Sequence, residues 1–383
     1  MHSVKSTYYS CIPSRLIMKS ILLLAFFCLT LSALAQSSSQ ARVDTGTIDG
    51  ARYRIDFPAN WGQTGSSKRL LMYAHGYETI GNKRGNLSGG WMAPFLKKGF
   101  AVAQSAYRRQ GWAVSEGVDD TEALRQHFVK KYGQPDSTFV TGHSMGGMIT
   151  LATIEKFPQH YQGAMPFCPI SGHLYQSLQR HLFAVLVTFD GLFPNTLALE
   201  KLATGTGVPT APDAIRQKLQ ADSLTGQQFA RRFSIKYKDL PGVLSFFQEI
   251  YRDISQQAGG NPFDNTNLLY SGFPDDALVN RRATRLTAQP KARTFLGPYT
   301  TFSGKISDPV LLVHTTYDEL IPPEEATAYD AIARQAGNDR LFIMKFTDGQ
   351  GHCRFTPGQT EAVFDQLRSW VKAGQRPVAG EVK

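Results

Sequence analysis

The stretch FVTGHSMGGMITLATIEKFP, residues 139–158, places Ser144 among glycines where an apolar run gives way to a helical pattern. The run before Ser144 predicts a buried strand, and the spacing of apolar residues after it predicts a helix. A serine at such a tight strand-to-helix turn exposes its hydroxyl, and Gly142, Gly146 and Gly147 avoid the clashes that larger side chains would cause there. The N-terminus of the helix also favours developing negative charge. We therefore interpret Ser144 as a nucleophile rather than as an ordinary turn residue.

Strands and helices alternate on both sides of this turn. Residues 44–58 predict a β-hairpin centred on Asp49-Gly50, and further strand–helix pairs follow as far as residue 172. Such alternation predicts a mostly parallel central sheet with flanking helices. It breaks over residues 173–304, which show only helical and loop patterns, and it resumes over residues 305–383. We predict an α/β core made of residues 41–172 and 305–383, with residues 173–304 inserted as a helical lid over the sheet's C-terminal edge.

A serine hydroxyl needs a base to activate it, and the base needs a group to orient it. After a nucleophile at this type of turn, the acid and then the histidine follow in chain order. Asp318 ends the predicted strand PVLLVHTTY, with Glu319 as the neighbouring alternative, and His352 lies in the loop DGQGHCRF after the last predicted strand. We therefore predict Ser144, Asp318 and His352 as the catalytic residues.

Attack on a carbonyl creates an oxyanion, which fixed N–H donors must stabilise. The residue after the nucleophile supplies one such donor, the backbone N–H of Met145. The second donor is expected from the loop HGY after the strand LLMYA. We favour the N–H of Tyr77, and the N–H of Gly76 is the alternative.

The motifs HGY, GHSMGG, YDELIP and GHC, in this order, resemble the α/β-hydrolase superfamily. The resemblance covers about residues 51–172 and 305–374. Within the superfamily, AYRRQGWAV, GHSMGGMIT and GAMPFCPISG are similar to secreted bacterial serine hydrolases near the prolyl-oligopeptidase-like and esterase branches. The resemblance implies a Ser-Asp-His triad at Ser144, Asp318 and His352, and it implies no cofactor.

Two cysteines lie near the predicted site. Cys353 directly follows the predicted base, and Cys168 ends the strand after the helix that follows Ser144. Both are expected at the C-terminal edge of the sheet, so we predict a disulfide between them, with two free buried thiols as the alternative. Neither cysteine has the CxxC spacing of a structural zinc site, so no metal is predicted.

The N-terminus reads as an export signal. From Met18, which we consider the natural start, a positive residue precedes an apolar run that ends at Ala33-Leu34-Ala35. This pattern is typical of a signal peptide, here residues 1–35, and predicts a periplasmic or extracellular protein. The apolar run is short for a bilayer span, which argues against a retained membrane anchor.

The remaining composition is that of a globular protein. The net charge of +10 comes from basic residues in scattered pairs, and no nucleic-acid motif accompanies them. We expect a serine esterase that acts on a small-molecule or polymer-derived ester. A serine peptidase, an acyltransferase or thioesterase, and a non-catalytic binding module are the alternatives. The sequence predicts neither the acyl specificity nor the oligomeric state.

Overall fold

The structure, a computed structural model, describes residues 42–81, 87, 89–297, 299 and 301–382. The predicted signal peptide lies outside the described residues. Within the described part, we find no helix with the length and apolar character needed to cross a bilayer.

A nine-stranded sheet forms the centre of the described residues, in the order β1-β2-β4-β3-β5-β6-β7-β8-β9. The first two pairings, β1 with β2 and β2 with β4, are antiparallel, and all the others are parallel. The predicted mostly parallel sheet with flanking helices is therefore confirmed. The strands are β1 Arg42–Ile48, β2 Ala51–Phe57, β3 Arg69–Ala74, β4 Phe100–Ser105, β5 Ser137–His143, β6 Gly163–Phe167, β7 Val310–Tyr317, β8 Phe342–Gln350 and β9 Gly380–Glu381.

The sheet opens with the predicted hairpin. Ile48 pairs with Ala51, and the two residues between them, Asp49 and Gly50, have φ values of 48° and 85°. Positive φ at both central residues is the conformation that Asp-Gly favours, and its twist matches that of the flanking strands. The local sequence is therefore sufficient to place this turn.

Among the described residues, five helices flank the sheet, and the ends of two of them follow local signals. Helix α13 begins with a capping box between Thr356 and Gln359 and ends before Gly374, whose φ is 67°. Helix α2 likewise ends before Gly133, whose φ is 85°. The five are α1 Ala93–Lys97, α2 Val114–Tyr132, α3 Met145–Lys156, α12 Pro323–Gln335 and α13 Pro357–Ala373.

The central strands are apolar on both faces because helices cover both sides of the sheet. In β3, Leu70 and Met72 are buried in a core cluster that includes side chains of α2 and α3. The alternate residues Leu71 and Tyr73 are buried in a second cluster with Phe364 of α13. The period-two alternation of a strand thus supplies two separate cores from one continuous apolar run.

Between β6 and β7 the chain forms a helical insertion, in which every regular element of the described residues is a helix. Its longest described helix, α9 (Leu240–Ala258), buries Val243, Leu244, Phe247, Tyr251 and Ile254 along one face. Helices α4 and α5 are joined by a π-helical turn, Gln179–Phe183, without an intervening loop. The helices are α4 Leu174–Leu178, α5 Ala184–Leu192, α6 Leu199–Ala203, α7 Pro212–Ala221, α8 Ser223–Arg232, α9 Leu240–Ala258, α10 Asp276–Arg282 and α11 Pro290–Phe295.

Two features differ from the sequence-based prediction. Residues 90–100, where the spacing of apolar residues predicts one helix, form a 3₁₀ turn, Gly90–Met92, followed by a single short α-helix, α1. The last strand, β9, was not predicted, and it pairs in parallel with β8 at the edge of the sheet. A strand of two residues carries no periodicity from which it could have been recognised.

Candidate active site

Ser144 lies at the turn between β5 and α3 in a strained backbone conformation, with φ 58° and ψ −124°. Its N–H donates a hydrogen bond to the carbonyl of Phe167 at 3.0 Å. A Cβ added to Gly146 would lie 2.0 Å from the carbonyl oxygen of Ala74, and one added to Gly142 would lie 2.4 Å from the carbonyl oxygen of Gly146. The glycines are therefore required by backbone contacts with β3 and within the turn.

The side chains of Ser144, His352 and Asp318 form one hydrogen-bonded chain. His352 lies in the loop after β8, and its Nε2 is 2.8 Å from Ser144 Oγ. Its Nδ1 is 2.7 Å from Oδ2 of Asp318, which follows β7. The structure thus brings together three residues that are up to 208 positions apart in sequence.

Asp318 is buried, and several groups keep it ionised. Its Oδ1 accepts hydrogen bonds from the backbone N–H groups of Leu320 and Ile321, both at 2.9 Å. Burial alone would raise the pKa of Asp318, but the hydrogen bond and charge of His352, together with the N–H of Ile321, lower it below the ordinary value. The carboxylate is therefore suited to orient His352 and to stabilise a positive charge on it.

Glu319, the alternative acid, contacts a different part of the histidine loop. Its Oε2 accepts a hydrogen bond from the backbone N–H of His352 at 2.8 Å. The ring of His352 is bonded to Asp318 instead. Glu319 consequently holds the backbone of this loop while Asp318 holds the imidazole.

Three other histidines belong to the turn, to β7 or to the segment after β6, whereas the ring bonded to Ser144 Oγ is that of His352. His314 is buried within β7 with Nε2 3.8 Å from Asp318 Oδ2, and its Nδ1 donates to the carbonyl of Thr315. His143 is stacked on Phe167, with ring centroids 4.6 Å apart. His173 is an exposed residue at the start of α4.

A disulfide joins Cys168 to Cys353, with 5.6 Å between the two Cα atoms. Cys168 directly follows β6, and Cys353 directly follows His352. The histidine loop is therefore covalently attached to the strand next to the Ser144 turn. The alternative of two free thiols does not describe this structure.

The two predicted oxyanion donors belong to segments that meet beside Ser144. Met145 is the first residue of α3. A Cβ added to Gly76 would lie 3.3 Å from the carbonyl oxygen of His143 and 3.5 Å from Cβ of Ser144. The loop after β3 thus packs directly against the turn, and both Tyr77 and Met145 line the same cavity as Ser144.

That cavity is narrow and mostly apolar, with a volume of ≈ 50 Å³. The core contributes Ser144 and His352, and the helical insertion supplies one wall. The insertion residues that line it are Ser177, Leu178, His181, Leu182, Phe246, Phe247 and Ile250. An apolar pocket with a few convergent polar groups is the usual form of a small-molecule site.

Two contacts between the insertion and the core were not predicted. Asp253 of α9 is fully buried and accepts a hydrogen bond from the backbone N–H of Trp112 at 2.6 Å. Burial raises the pKa of Tyr77, and the nearby negative charge of Asp253 raises it further. The hydroxyl of Tyr317, at the end of β7, donates to Asp239 at 2.7 Å and accepts from the N–H of Lys236 at 3.0 Å. These contacts attach the insertion to the segment before α2 and to the end of β7.

The chain is similar to known hydrolases, and the family match covers part of the first core segment and part of the insertion. The family model for serine aminopeptidase (S33) matches residues 103–240. An o-phthalyl amidase of Xanthobacter agilis is 22% identical over 402 residues, which cover 86% of this chain and 87% of the amidase. The mostly parallel sheet with flanking helices is that of the α/β-hydrolase fold, and the matched family model describes serine hydrolases.

Solved structures of two further hydrolases also align with the chain. A puromycin-hydrolyzing peptidase of Mycobacterium tuberculosis is 14% identical, with a TM-score of 0.48 over 91% of this chain. The chain spans only 42% of the length of that peptidase. Est1E from Butyrivibrio proteoclasticus is 14% identical, with a TM-score of 0.41 over 86% of this chain and 98% of its own.

Proposed function

We propose that the protein is an exported serine hydrolase that cleaves carboxylic esters through an acyl-enzyme intermediate. The observation that carries this proposal is the hydrogen-bonded chain from Ser144 through His352 to Asp318, which opens on a narrow apolar cavity. The disulfide supports export, because such bonds persist mainly in oxidising compartments. The periplasm and the extracellular medium both fit this expectation.

In the proposed mechanism, Ser144 Oγ attacks the ester carbonyl while His352 Nε2 takes the hydroxyl proton. Asp318 holds the ring with Nδ1 protonated and stabilises the imidazolium that forms. The backbone N–H groups of Met145 and Tyr77 stabilise the oxyanion. His352 then gives its proton to the leaving alcohol. Water repeats the same steps on the acyl-enzyme, which releases the acid and restores Ser144.

In this proposal the helical insertion is a lid that selects the acyl group. Its aromatic and aliphatic side chains cover Ser144 and leave a cavity of ≈ 50 Å³. A space of this size accommodates a compact acyl group, whereas a long chain would require movement of the insertion. We therefore expect short or compact acyl esters to be the better substrates.

Amide hydrolysis is the second candidate, because the family match is to an aminopeptidase family and the curated relative is an amidase. The same three residues would perform it. Among the described residues that line the cavity, Glu325 is the only one with an acidic side chain, and its carboxylate accepts a hydrogen bond from Ser177. A pair of carboxylates that could bind a free amino terminus is not present among the described residues of this lining, which argues against an aminopeptidase.

The test compares matched ester and amide substrates. We expect the mature protein to release 4-nitrophenol from 4-nitrophenyl acetate and butyrate faster than 4-nitroaniline from the corresponding anilides. Ser144→Ala should abolish both activities, whereas Ser223→Ala, an exposed serine in α8, should retain them. Full activity in Ser144→Ala would refute the nucleophile, and faster anilide cleavage would favour the amidase alternative.

A further inference from the structure

The cavity contains one polar atom that the proposed chemistry does not use. His181 lines the cavity, and its Nε2 is buried without a hydrogen-bond partner among the described residues. A buried polar atom without a partner is destabilising, so its retention beside a substrate cavity calls for an explanation. A substrate group that bonds to this atom would supply one.

The position of His181 is fixed by the insertion itself. The residue lies in the π-helical turn that joins α4 to α5, and such turns occur frequently at functional sites. Its ring packs edge-on against Phe247 at 5.5 Å and lies 6.4 Å from Phe233 between ring centroids. The imidazole is therefore held by aromatic neighbours rather than by a hydrogen bond from Nε2.

The imidazole is uncharged at neutral pH. Burial lowers the pKa of His181 to about 4, although the negative charge of Asp318 acts in the opposite direction. A neutral imidazole presents Nε2 either as an N–H donor or as a lone-pair acceptor, depending on its tautomer. A hydroxyl group satisfies either state, because it both donates and accepts.

We propose that His181 determines specificity by hydrogen bonding to a hydroxyl group on the acyl part of the substrate. This inference rests on the proposed function, since it assigns the acyl group of that same reaction. A carboxylate in this place would be repelled by Asp318 and by Glu325, which also lines the cavity. The substrate class is therefore an ester of a compact, otherwise apolar acid that carries a neutral hydroxyl.

The acyl half of the ester is the part of the substrate that we expect to bind in this cavity. It remains attached to Ser144 after the alcohol has left, so it benefits from an enclosed apolar wall throughout the cycle. His181 and the aromatic residues around it belong to that wall. The leaving alcohol, in contrast, must depart before water can enter.

The first experiment measures kcat/KM for 4-nitrophenyl phenylacetate and for its 3-hydroxy and 4-hydroxy derivatives. We expect one hydroxylated ester to be preferred by about tenfold in the wild type, the effect of one neutral hydrogen bond. His181→Leu should remove this preference, and His181→Gln, which keeps a hydrogen-bonding group, should restore part of it. His173→Leu, at the exposed start of α4, is the matched control and should retain the preference.

A second experiment separates this inference from the proposed reaction. Ser144→Ala is titrated calorimetrically with phenylacetamide and with its 3-hydroxy and 4-hydroxy derivatives, so that no turnover is needed. We expect one hydroxylated amide to bind about tenfold more tightly, and this difference should vanish in Ser144→Ala/His181→Leu. An equal preference with and without His181, in an active enzyme or in this binding assay, would overturn the role of His181. Loss of all ester hydrolysis with the binding preference intact would overturn only the proposed function.

Discussion

The disulfide between Cys168 and Cys353 gives a prediction whose magnitude follows from the fold. The two residues are 185 positions apart, and the whole helical insertion lies between them. In the chain-entropy model, opening a loop of this length lowers the free energy of unfolding by about 5 kcal/mol. The catalytic consequence should be separate, because Cys353 is attached directly to His352. Displacement of that imidazole by about 1 Å would lower kcat/KM by about 100-fold.

The assay uses Cys168→Ser, Cys353→Ser and the double variant of the mature protein. Urea unfolding followed by tryptophan fluorescence gives the stability, and hydrolysis of 4-nitrophenyl butyrate gives kcat/KM. Because either substitution breaks the same bond, all three variants should lose the same stability and the same activity. Reduction of the wild type should produce the same state. Single variants as stable and active as the wild type, or a double variant that loses the sum of the two, would refute the reasoning.

Two further predictions concern charge near the site. Asp318→Asn should lower kcat/KM by about 10³-fold to 10⁴-fold, because a neutral amide cannot stabilise the imidazolium of His352. Glu319→Gln should lower kcat/KM by less than about tenfold, since an amide oxygen still accepts a hydrogen bond from the backbone N–H of His352. Equal losses of kcat/KM in the two variants would contradict these assignments. The second prediction concerns acid stability. Burial lowers the pKa of both His143 and His181 to about 4, whereas the unfolded value is about 6.5. The contribution of these two neutral histidines to the free energy of unfolding is fully present above pH 6.5. It is lost as the pH falls towards 4, by about 1.4 kcal/mol per pH unit for each histidine. Urea titrations between pH 7 and pH 5 should show that the free energy of unfolding falls with this slope. Replacing either histidine by leucine should reduce the slope by about 1.4 kcal/mol per pH unit. An unchanged slope in both variants would count against the burial of these rings.

The core of the protein could be predicted because its determinants are local. The Asp49-Gly50 turn and the glycine that ends helix α13 each require a backbone conformation that few residues adopt, and the glycines around Ser144 are required by close backbone contacts. Chain order then selects Asp318 and His352, since parallel strands end at a common edge of the sheet. The hydrogen-bond distances within this group of side chains do not follow from the sequence.

The insertion could be predicted only as a set of helices. Helical spacing shows that α9 has an apolar face, but not that Asp253 reaches the backbone of Trp112, 141 residues away. The π-helical turn around His181 is equally hidden, because the spacing of apolar residues does not mark where an extra residue enters a helical turn. The proposed specificity therefore depends on the insertion, which is the part of the chain that local sequence rules predict least well.

The proposed nucleophile can be tested directly by covalent labelling. The mature protein is treated with a fluorophosphonate, which reacts with activated serines, and the modified peptide is identified by mass spectrometry. We predict one adduct per chain on Ser144, its absence in Ser144→Ala, and far slower labelling in His352→Ala. Labelling of Ser144→Ala at the wild-type rate, or an adduct on any other residue, would contradict the assignment.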